Sequence, residues 1–339
     1  MQLPHIATAE EARTALDLIC NDTRLQALTD WFLTPENIDD AIRGLDCVTD
    51  AETEQANRIR TAWQHHREAL PPTSITDSGR LDLAKEAWDF RQGHERDAIP
   101  TSVELLPAPV AAVIYDLADA WGMTISDPPT GHFDVVLPIG GLLRANLARP
   151  ATAARLLTHN IVTTRKVIGL TGHRQMTPSE MTLAQRLHLN VTTEAEALQT
   201  GLTKAFDLDS SAWKDQHTDG GLITTNHAGT TPVHLSVAPL TASGKRPTTG
   251  EAIAWMQRQG ILAGSASILQ ITTPIYWIAN HISVRTVISP EITLTTIGYD
   301  QDLSSGSAQS FRSQHYLQEI KAVVDALPRL ATWANRDGT

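Results

Sequence analysis

The chain has 339 residues, of which 41% are hydrophobic and 19% are charged, and its formal net charge at pH 7 is −11. An acidic chain without a basic stripe has no surface suited to a phosphate backbone, so this composition argues against a nucleic-acid partner. The sequence contains neither a secretion signal nor an apolar run of about 20 residues, and we therefore expect a cytoplasmic protein with no membrane partner.

The negative charge belongs to the N-terminal part of the chain. Residues 1–130 hold 23 Asp and Glu against 10 Lys and Arg, whereas residues 131–339 hold 15 against 17. Between the two parts, residues 126–131 have the sequence Ser-Asp-Pro-Pro-Thr-Gly, which is typical of a linker or a tight turn. The charge asymmetry and this segment predict a helical N-terminal region over residues 1–130 and a ligand-binding domain over residues 131–339.

Five helices are predicted in the N-terminal region from capping signals and apolar spacing. They begin at Thr8 and Thr34 and extend over residues 51–70, 80–92 and 109–121. Their apolar faces must pack on one another or on the second domain, because that surface would otherwise be left in water. We expect a cap over the second domain. The alternatives are an interaction bundle that binds a partner and a homodimer formed through these helices.

Several enzyme classes are disfavoured by missing motifs. The two cysteines, Cys20 and Cys47, have no metal-ligand spacing, and a lone disulfide is not favoured in a reducing compartment, so both are expected to be packing residues. The histidines show no HExxH or Cys/His grouping, and the chain has no GxSxG or Walker motif. We therefore expect no metal site, no hydrolase triad and no P-loop.

The second part of the chain alternates strand and helix signals. The predicted strands, five short β-branched runs, lie at residues 133–138, 166–171, 233–239, 267–273 and 292–297. This alternation predicts an α/β fold, namely a Rossmann-like three-layer αβα domain with a mainly parallel sheet. Residues 207–231 are rich in Ser, Asp, Gly and Thr, and they are expected to form a loop, either a lid or an insertion.

In open sheets of this kind ligands bind at the carboxyl ends of the strands, so the residues that directly follow each strand are the candidates. The first strand is followed by Gly140, Gly141 and Arg144, which bring N–H groups and positive charge to the start of a helix. Arg144 in the first turn is unfavourable for the helix dipole unless an anion compensates it. These residues predict an anion site. The glycines also fit a plain strand-to-helix turn, since the third glycine of the dinucleotide fingerprint is absent.

Further candidates follow the other strands. The second strand leads to Gly172, His173 and Arg174, where a histidine could serve as a general acid or base. The remaining candidates, which follow the third and fourth strands, are Arg246, Thr248, Thr249, Glu251, Thr272, Thr273 and Tyr276. Of these, Thr248 and Glu251 also fit a capping box that starts a helix without any chemistry.

Five features in a fixed order carry a family resemblance. They are residues 134–141 (Asp-Val-Val-Leu-Pro-Ile-Gly-Gly), then Arg144, then a strand end that contains Gly172, then residues 246–251 (Arg-Pro-Thr-Thr-Gly-Glu) and 271–276 (Ile-Thr-Thr-Pro-Ile-Tyr). In this order the chain resembles the DUF218 proteins, the YdcF/SanA-like group, and within it a soluble actinobacterial-type branch. The resemblance covers about residues 131–330. It implies a Rossmann-like domain with a nucleotide-like ligand, since one member of that family binds S-adenosylmethionine.

The chain departs from that family at two places. The family often has Asn-Thr-x-Glu-Asn where this chain has Thr248-Thr-Gly-Glu-Ala252, so the contact of the terminal Asn is lost. The family also often has a histidine after the fourth strand, where this chain has Pro-Ile-Tyr276. Chemistry that belongs to that histidine therefore does not carry over.

Two functions fit these observations. The first is an enzyme that binds an anionic nucleotide-like cofactor or small-molecule substrate, with S-adenosylmethionine or another nucleotide as candidates, and transfers a group. His173, Tyr276 and Glu251 would lie nearest the chemistry. The excess of Arg over Lys, 21 against 6, fits a high-GC bacterial genome and a role in specialised metabolism. The second is a non-catalytic module that senses a metabolite while its helical region binds a partner.

Overall fold

The computed structural model describes residues 6–70, 77–124, 128–298 and 311–335. These residues form two compact units. The first unit holds the described residues between 13 and 124 together with 311–331, and the second holds 6–12, 128–298 and 332–335. The first unit thus includes most of the closing helix in addition to the N-terminal helices that a division at residue 130 assigns to it.

The secondary structure is helical up to residue 120 and alternates afterwards. The helices are α1 (Ala9–Cys20), α2 (Thr23–Phe32), α3 (Pro35–Gly44), α4 (Thr53–Ala69), α5 (Asp77–Ala84), α6 (Ala108–Ala120), α7 (Leu143–Thr158), α8 (Pro178–Arg186), α9 (Glu194–Ala205), α10 (Thr249–Arg258), α11 (Trp277–Arg285) and α12 (Ser313–Ala334). The strands are β1 (Gly131–Pro138), β2 (Val162–Gly172), β3 (Lys214–Thr218), β4 (Gly221–Ala228), β5 (Thr231–Ala238), β6 (Ser267–Thr272) and β7 (Thr293–Gly298). No helix among the described residues is both long enough and apolar enough to cross a membrane.

Four of the five predicted N-terminal helices are confirmed, as α1, α3, α4 and α6. The box at Thr8 is present, since Glu11 N–H donates to its hydroxyl and Thr8 N–H donates to the Glu11 carboxylate. The helix predicted over residues 80–92 is wrong in its second half, because α5 ends at Ala84 and the chain continues in turns. Helix α2 was not predicted.

Aromatic side chains form much of the core of the first unit. The rings of Trp63 and Phe90 meet edge to face, with centroids 5.6 Å apart, and Phe32 meets Trp88 in the same way at 6.1 Å. The indole N–H of Trp63 donates to the carbonyl of Ala87 at 2.8 Å. Burying Trp88 and Phe90 requires residues 85–92 to turn inward, which explains why the helix stops early.

Both cysteines lie on the surface, so the expectation that they are packing residues is wrong. Cys20 is the last residue of α1 and Cys47 lies in the turn after α3, and both are free and exposed.

The second unit contains a seven-stranded sheet in the order β3-β4-β5-β2-β1-β6-β7. The five strands from β5 to β7 are parallel, and they are the five strands that the sequence predicts. Helices α7 and α9 pack on one face of the sheet and α10 and α11 on the other. The Rossmann-like α/β fold is therefore confirmed. Parallel strands are covered on both faces, which is why apolar and β-branched residues make up most of their buried positions.

The loop expected over residues 207–231 is wrong. Strands β3 and β4 form an antiparallel hairpin there, and β4 pairs antiparallel with β5, so the segment extends the sheet. Strand β3 is an edge strand that is mostly exposed, and its polar residues hide it from a search for apolar runs. The turn at Asp219-Gly220, where Gly220 has a φ of +69°, is the two-residue hairpin signal that could have revealed it.

Gly201 controls how closely α7 and α9 approach. A Cβ at this position would overlap the backbone carbonyl oxygen of Asn146 in α7. Alanine is ordinarily favoured over glycine inside a helix by about 0.5–1 kcal/mol, so here the two effects oppose each other. Backbone oxygen cannot move aside as a side chain can, and the overlap dominates.

We predict that Gly201→Ala destabilises the protein by about 1–3 kcal/mol, because the added methyl group separates two packed helices. Chemical denaturation monitored by circular dichroism measures the change. Gln199→Ala, at a partly exposed position of the same helix, is the control and should stay within about 0.5 kcal/mol of the wild type. Equal stability of the two variants would contradict the close helix contact.

His315 makes the stability of the protein depend on pH. Burial lowers the pKa of His315 to about 4, and its Nδ1 accepts a hydrogen bond from the backbone N–H of Arg312 at 3.1 Å. In the unfolded chain the pKa is about 6.5, so protons bind preferentially to the unfolded state. Stability from the neutral imidazole is fully present above pH 6.5 and is lost as the pH falls towards 4.

We predict that acidification from pH 7.5 to 4.5 costs the wild type up to about 3 kcal/mol more than it costs His315→Gln, which has no group to protonate. Urea denaturation of both proteins at the two pH values gives this difference directly. Titrating carboxylates contribute equally to both proteins and cancel. A parallel pH dependence in the two would show that His315 is not buried as described.

Candidate functional site

The centre of the sheet contains the switch point of the fold. Strands β1 and β6 are neighbours there, and the chain winds in opposite directions on either side of them. In open α/β sheets, ligands lie outside the carboxyl ends of the strands at this point. We use the term carboxyl edge for residues 139–144, 172–177, 239–251 and 272–276, which follow β1, β2, β5 and β6.

The backbone N–H groups of the turn after β1 donate hydrogen bonds to other atoms of the protein. Gly140 N–H donates to the carbonyl of Leu170 at 2.6 Å, and Gly141 N–H donates to Asn146 Oδ1 at 2.9 Å. The Asn146 amide donates back to the Gly141 carbonyl, also at 2.9 Å. A Cβ at Gly140 would lie 2.6 Å from Glu194 Oε1, so this glycine allows the close approach of a carboxylate of the protein. The glycine pair therefore has a structural reason that requires no ligand.

The start of α7 already carries an anion. Leu143, its first residue, donates its N–H to Glu180 Oε1 at 2.7 Å. Glu180 is 4% exposed, and its Oε2 accepts the backbone N–H of Thr177, which completes the capping box of α8. Negative charge at a helix N-terminus is favourable, and here Glu180 supplies it. Arg144, the next residue of α7, is partly exposed.

Arg174 uses all five of its N–H groups inside the protein. Its Nε donates to Glu194 Oε2 at 2.6 Å, its Nη1 to Glu180 Oε2 at 2.6 Å and to the Gln175 carbonyl at 3.2 Å. Its Nη2 donates to Glu180 Oε1 at 3.0 Å and to the Gly141 carbonyl at 3.2 Å. A guanidinium has five donors, so Arg174 has none left for a ligand. Burial lowers the pKa of Arg174, but the bond to Glu180 and the charge of Glu194 outweigh burial and raise it above its usual value.

Glu194 connects Arg174 to the loop after β5. The residue is 0% exposed, and its Oε1 accepts bonds from the Thr171 hydroxyl at 2.7 Å and from Arg246 Nη2 at 2.9 Å. Arg246 is 34% exposed at its side chain, so it lies between the buried carboxylate and solvent. Gly172 lies against the ring of Pro247, which a Cβ would approach to 3.2 Å. We call Arg174, Glu180, Glu194 and Arg246 the charged cluster.

Arg149 crosses the switch point itself. Its guanidinium donates from Nη1 to the carbonyls of Ile139 and Gly140, at 2.6 and 2.7 Å, and from Nη2 to the Thr273 hydroxyl at 2.8 Å. The residue is 2% exposed, and it connects the end of β1 with the end of β6. Arg149, Glu180 and Glu194 are not among the predicted catalytic or ligand-binding residues. Arg149 nevertheless follows Gly140 and Gly141 in the same helical pattern as Arg144, and this is the signal that points to it.

The threonines after β6 and β5 have protein partners as well. Asn280 in α11 donates to the Thr272 hydroxyl at 2.8 Å and accepts from the Thr249 hydroxyl at 3.4 Å. Thr248 and Glu251 form the complete capping box of α10, with Thr248 N–H 2.7 Å from Glu251 Oε2. The helix-start interpretation of these two residues is confirmed.

The three candidate catalytic residues do not form a unit. His173 is exposed, and within the described part of the chain no hydrogen bond or ion pair involves its ring. The Glu251 carboxylate caps α10, and Tyr276 is buried in the short 3-10 turn Pro274–Tyr276. No hydrogen bond among the described residues joins His173 or Glu251 to Tyr276. Nor do the described ranges contain a group of three or more His, Cys, Asp or Glu side chains that could hold a metal ion.

No family model matches this chain, and no curated protein or solved structure matches it either. The similarity to the DUF218 proteins therefore stays a prediction.

We predict that Arg174→Met destabilises the protein by about 3–5 kcal/mol, because it leaves two buried carboxylates without their shared cation. Equilibrium denaturation provides the measurement. Arg165→Met is the matched control, since Arg165 has a 66% exposed side chain paired with Asp134 and should change stability by less than about 1 kcal/mol. If Arg174→Met were as stable as this control, the charged cluster would not be a structural element.

Proposed function

We propose that the protein binds a nucleotide-like small molecule at the carboxyl edge, over the switch point between β1 and β6, and transfers a group to or from it. S-adenosylmethionine is the candidate that the similarity to the DUF218 proteins suggests. The observation that carries the proposal is the strand order, because it brings the loops after β1, β2, β5 and β6 to one edge of the sheet. A role in bacterial specialised metabolism rests on the same similarity and on the arginine-rich composition.

The groups that would meet such a molecule are the partly exposed ones. Arg144 and Arg246 suit a carboxylate or another anionic group of the ligand, since guanidinium groups bind carboxylates through paired hydrogen bonds. Thr249 lies partly exposed at the start of α10, where its hydroxyl suits a ribose hydroxyl. His173 is the exposed acid–base group of the same edge.

The buried residues of the carboxyl edge support ligand binding because they hold the loops of this edge in place. Arg149 joins the ends of β1 and β6, and the charged cluster joins the turns after β1, β2 and β5. A site whose supporting residues are locked by hydrogen bonds loses little entropy when it binds a ligand.

A non-catalytic sensor is the second candidate, and one observation favours it. A general acid or base is normally oriented by a further group, but the described residues give His173 no hydrogen-bond partner, and Glu251 is engaged as a helix cap. On this alternative, the carboxyl edge would bind a metabolite without turning it over. Incubation with S-adenosylmethionine and an extract of candidate acceptors separates the two, because only an enzyme releases S-adenosylhomocysteine.

We predict that S-adenosylmethionine binds the wild type in calorimetry and that Arg144→Ala and Arg246→Ala each weaken it at least tenfold, because each removes a charged partner of the ligand carboxylate. Arg258→Ala, exposed at the far end of α10, is the control and should bind like the wild type. Native mass spectrometry of freshly purified protein adds an unbiased measurement, since a copurified molecule has a defined mass. Binding that is unchanged in both site variants would contradict the proposed location.

A further inference from the structure

The place that a ligand phosphate would take at the start of α7 is filled by a side chain. Glu180 accepts the N–H of Leu143 through Oε1, at 2.7 Å, and it receives Arg174 on both oxygens, at 2.6 and 3.0 Å. A helix N-terminal N–H together with a guanidinium that bonds in pairs is the donor set that a bound phosphate or carboxylate normally receives. Glu180 therefore stands where the anion of a ligand would stand in a phosphate-binding turn.

Helix capping alone does not explain this arrangement. Glu196 occupies the same position in the capping box of α9, but it is exposed, and its carboxylate bonds with Thr192 and Thr193 and with no other residue in the described part of the chain. Glu180 performs the same local capping and is nearly inaccessible to solvent, because it also reaches across to α7 and Arg174. Burying a carboxylate is unfavourable unless it is fully paired, so its extension towards α7 requires a reason beyond the cap.

We propose that Glu180 is a specificity-determining residue, whose carboxylate replaces a ligand anion and excludes phosphate from the turn at Gly140 and Gly141. The inference rests on the proposed function and narrows its ligand class to nucleosides that carry no phosphate at this position. A phosphate there would face the carboxylates of Glu180 and Glu194, and it would find every N–H of Arg174 in use. Like charges at contact distance in a site of low polarity repel strongly.

The test compares S-adenosylmethionine, ADP and inorganic pyrophosphate as probes of the full-length protein. The wild type should bind ADP at least a hundredfold more weakly than S-adenosylmethionine, and pyrophosphate should leave its melting temperature unchanged. Glu180→Ala vacates the Leu143 N–H and two donors of Arg174, so its affinity for ADP should rise at least tenfold and pyrophosphate should raise its melting temperature.

Glu196→Ala is the matched control, because it removes the equivalent capping carboxylate of α9 and leaves Arg174 untouched. This variant should gain no affinity for either phosphate-bearing probe. Should Glu180→Ala fail to fold, Glu180→Gln keeps an acceptor for Leu143 and removes the charge, and a gain of ADP affinity in the same direction is expected.

Two results would overturn the assignment of Glu180. One is a wild type that binds ADP as tightly as S-adenosylmethionine, and the other is an absence of any gain for ADP and pyrophosphate in the folded Glu180 variant. A wild type that binds neither nucleoside overturns the proposed function instead. In that case, stabilisation of Glu180→Ala by pyrophosphate, without stabilisation of Glu196→Ala, would still support the role of Glu180 as an internal anion.

Discussion

Two carboxylates, those of Glu180 and Glu194, are buried beneath the carboxyl edge of the sheet, and the guanidinium of Arg174 lies between them. The rest of the carboxyl edge depends on this contact. It connects α8 and α9 to the turn after β1, because Arg174 also bonds the Gly141 carbonyl. A buried charge without a partner is costly, so each of the three groups can remain in place only while the other two do.

These buried charges explain the two glycines after β1, which would otherwise suggest a ligand site. Gly140 has no side chain because Glu194 Oε1 and the Thr171 hydroxyl occupy the space beside it, and a Cβ at Gly141 would approach Arg149 Nη1 to 3.2 Å. The two glycines thus leave room for two charged side chains of the protein, those of Glu194 and Arg149. Two further arginines of this edge, Arg144 and Arg246, are partly exposed. The carboxyl edge therefore consists of a layer of buried, paired charges and a smaller number of partly exposed side chains.

Some parts of this edge could be predicted from the sequence and others could not. Strands β1, β2, β5, β6 and β7 were predictable because each is an apolar, β-branched run that a parallel sheet buries on both faces. The polar hairpin of β3 and β4 was not, since an exposed edge strand lacks that pattern. The capping boxes at Thr177 and Thr248 were predictable because all their atoms lie within four residues. Glu180 follows Thr177 at the spacing of a capping box, but its contacts with Leu143 and Arg174 join parts of the chain that this local motif does not connect.

The sequence by itself determined the fold class, the strands of the parallel sheet and the turns that follow them, because hydrophobic periodicity and capping are local properties of the chain. Tertiary structure decided which charges meet. Leu143 and Glu180 are 37 residues apart, and Arg149 and Thr273 are 124 apart, so no spacing rule connects them. Arg174 illustrates the difference, since its position after β2 suggested a ligand contact and only the folded chain brings two buried carboxylates to its five N–H groups.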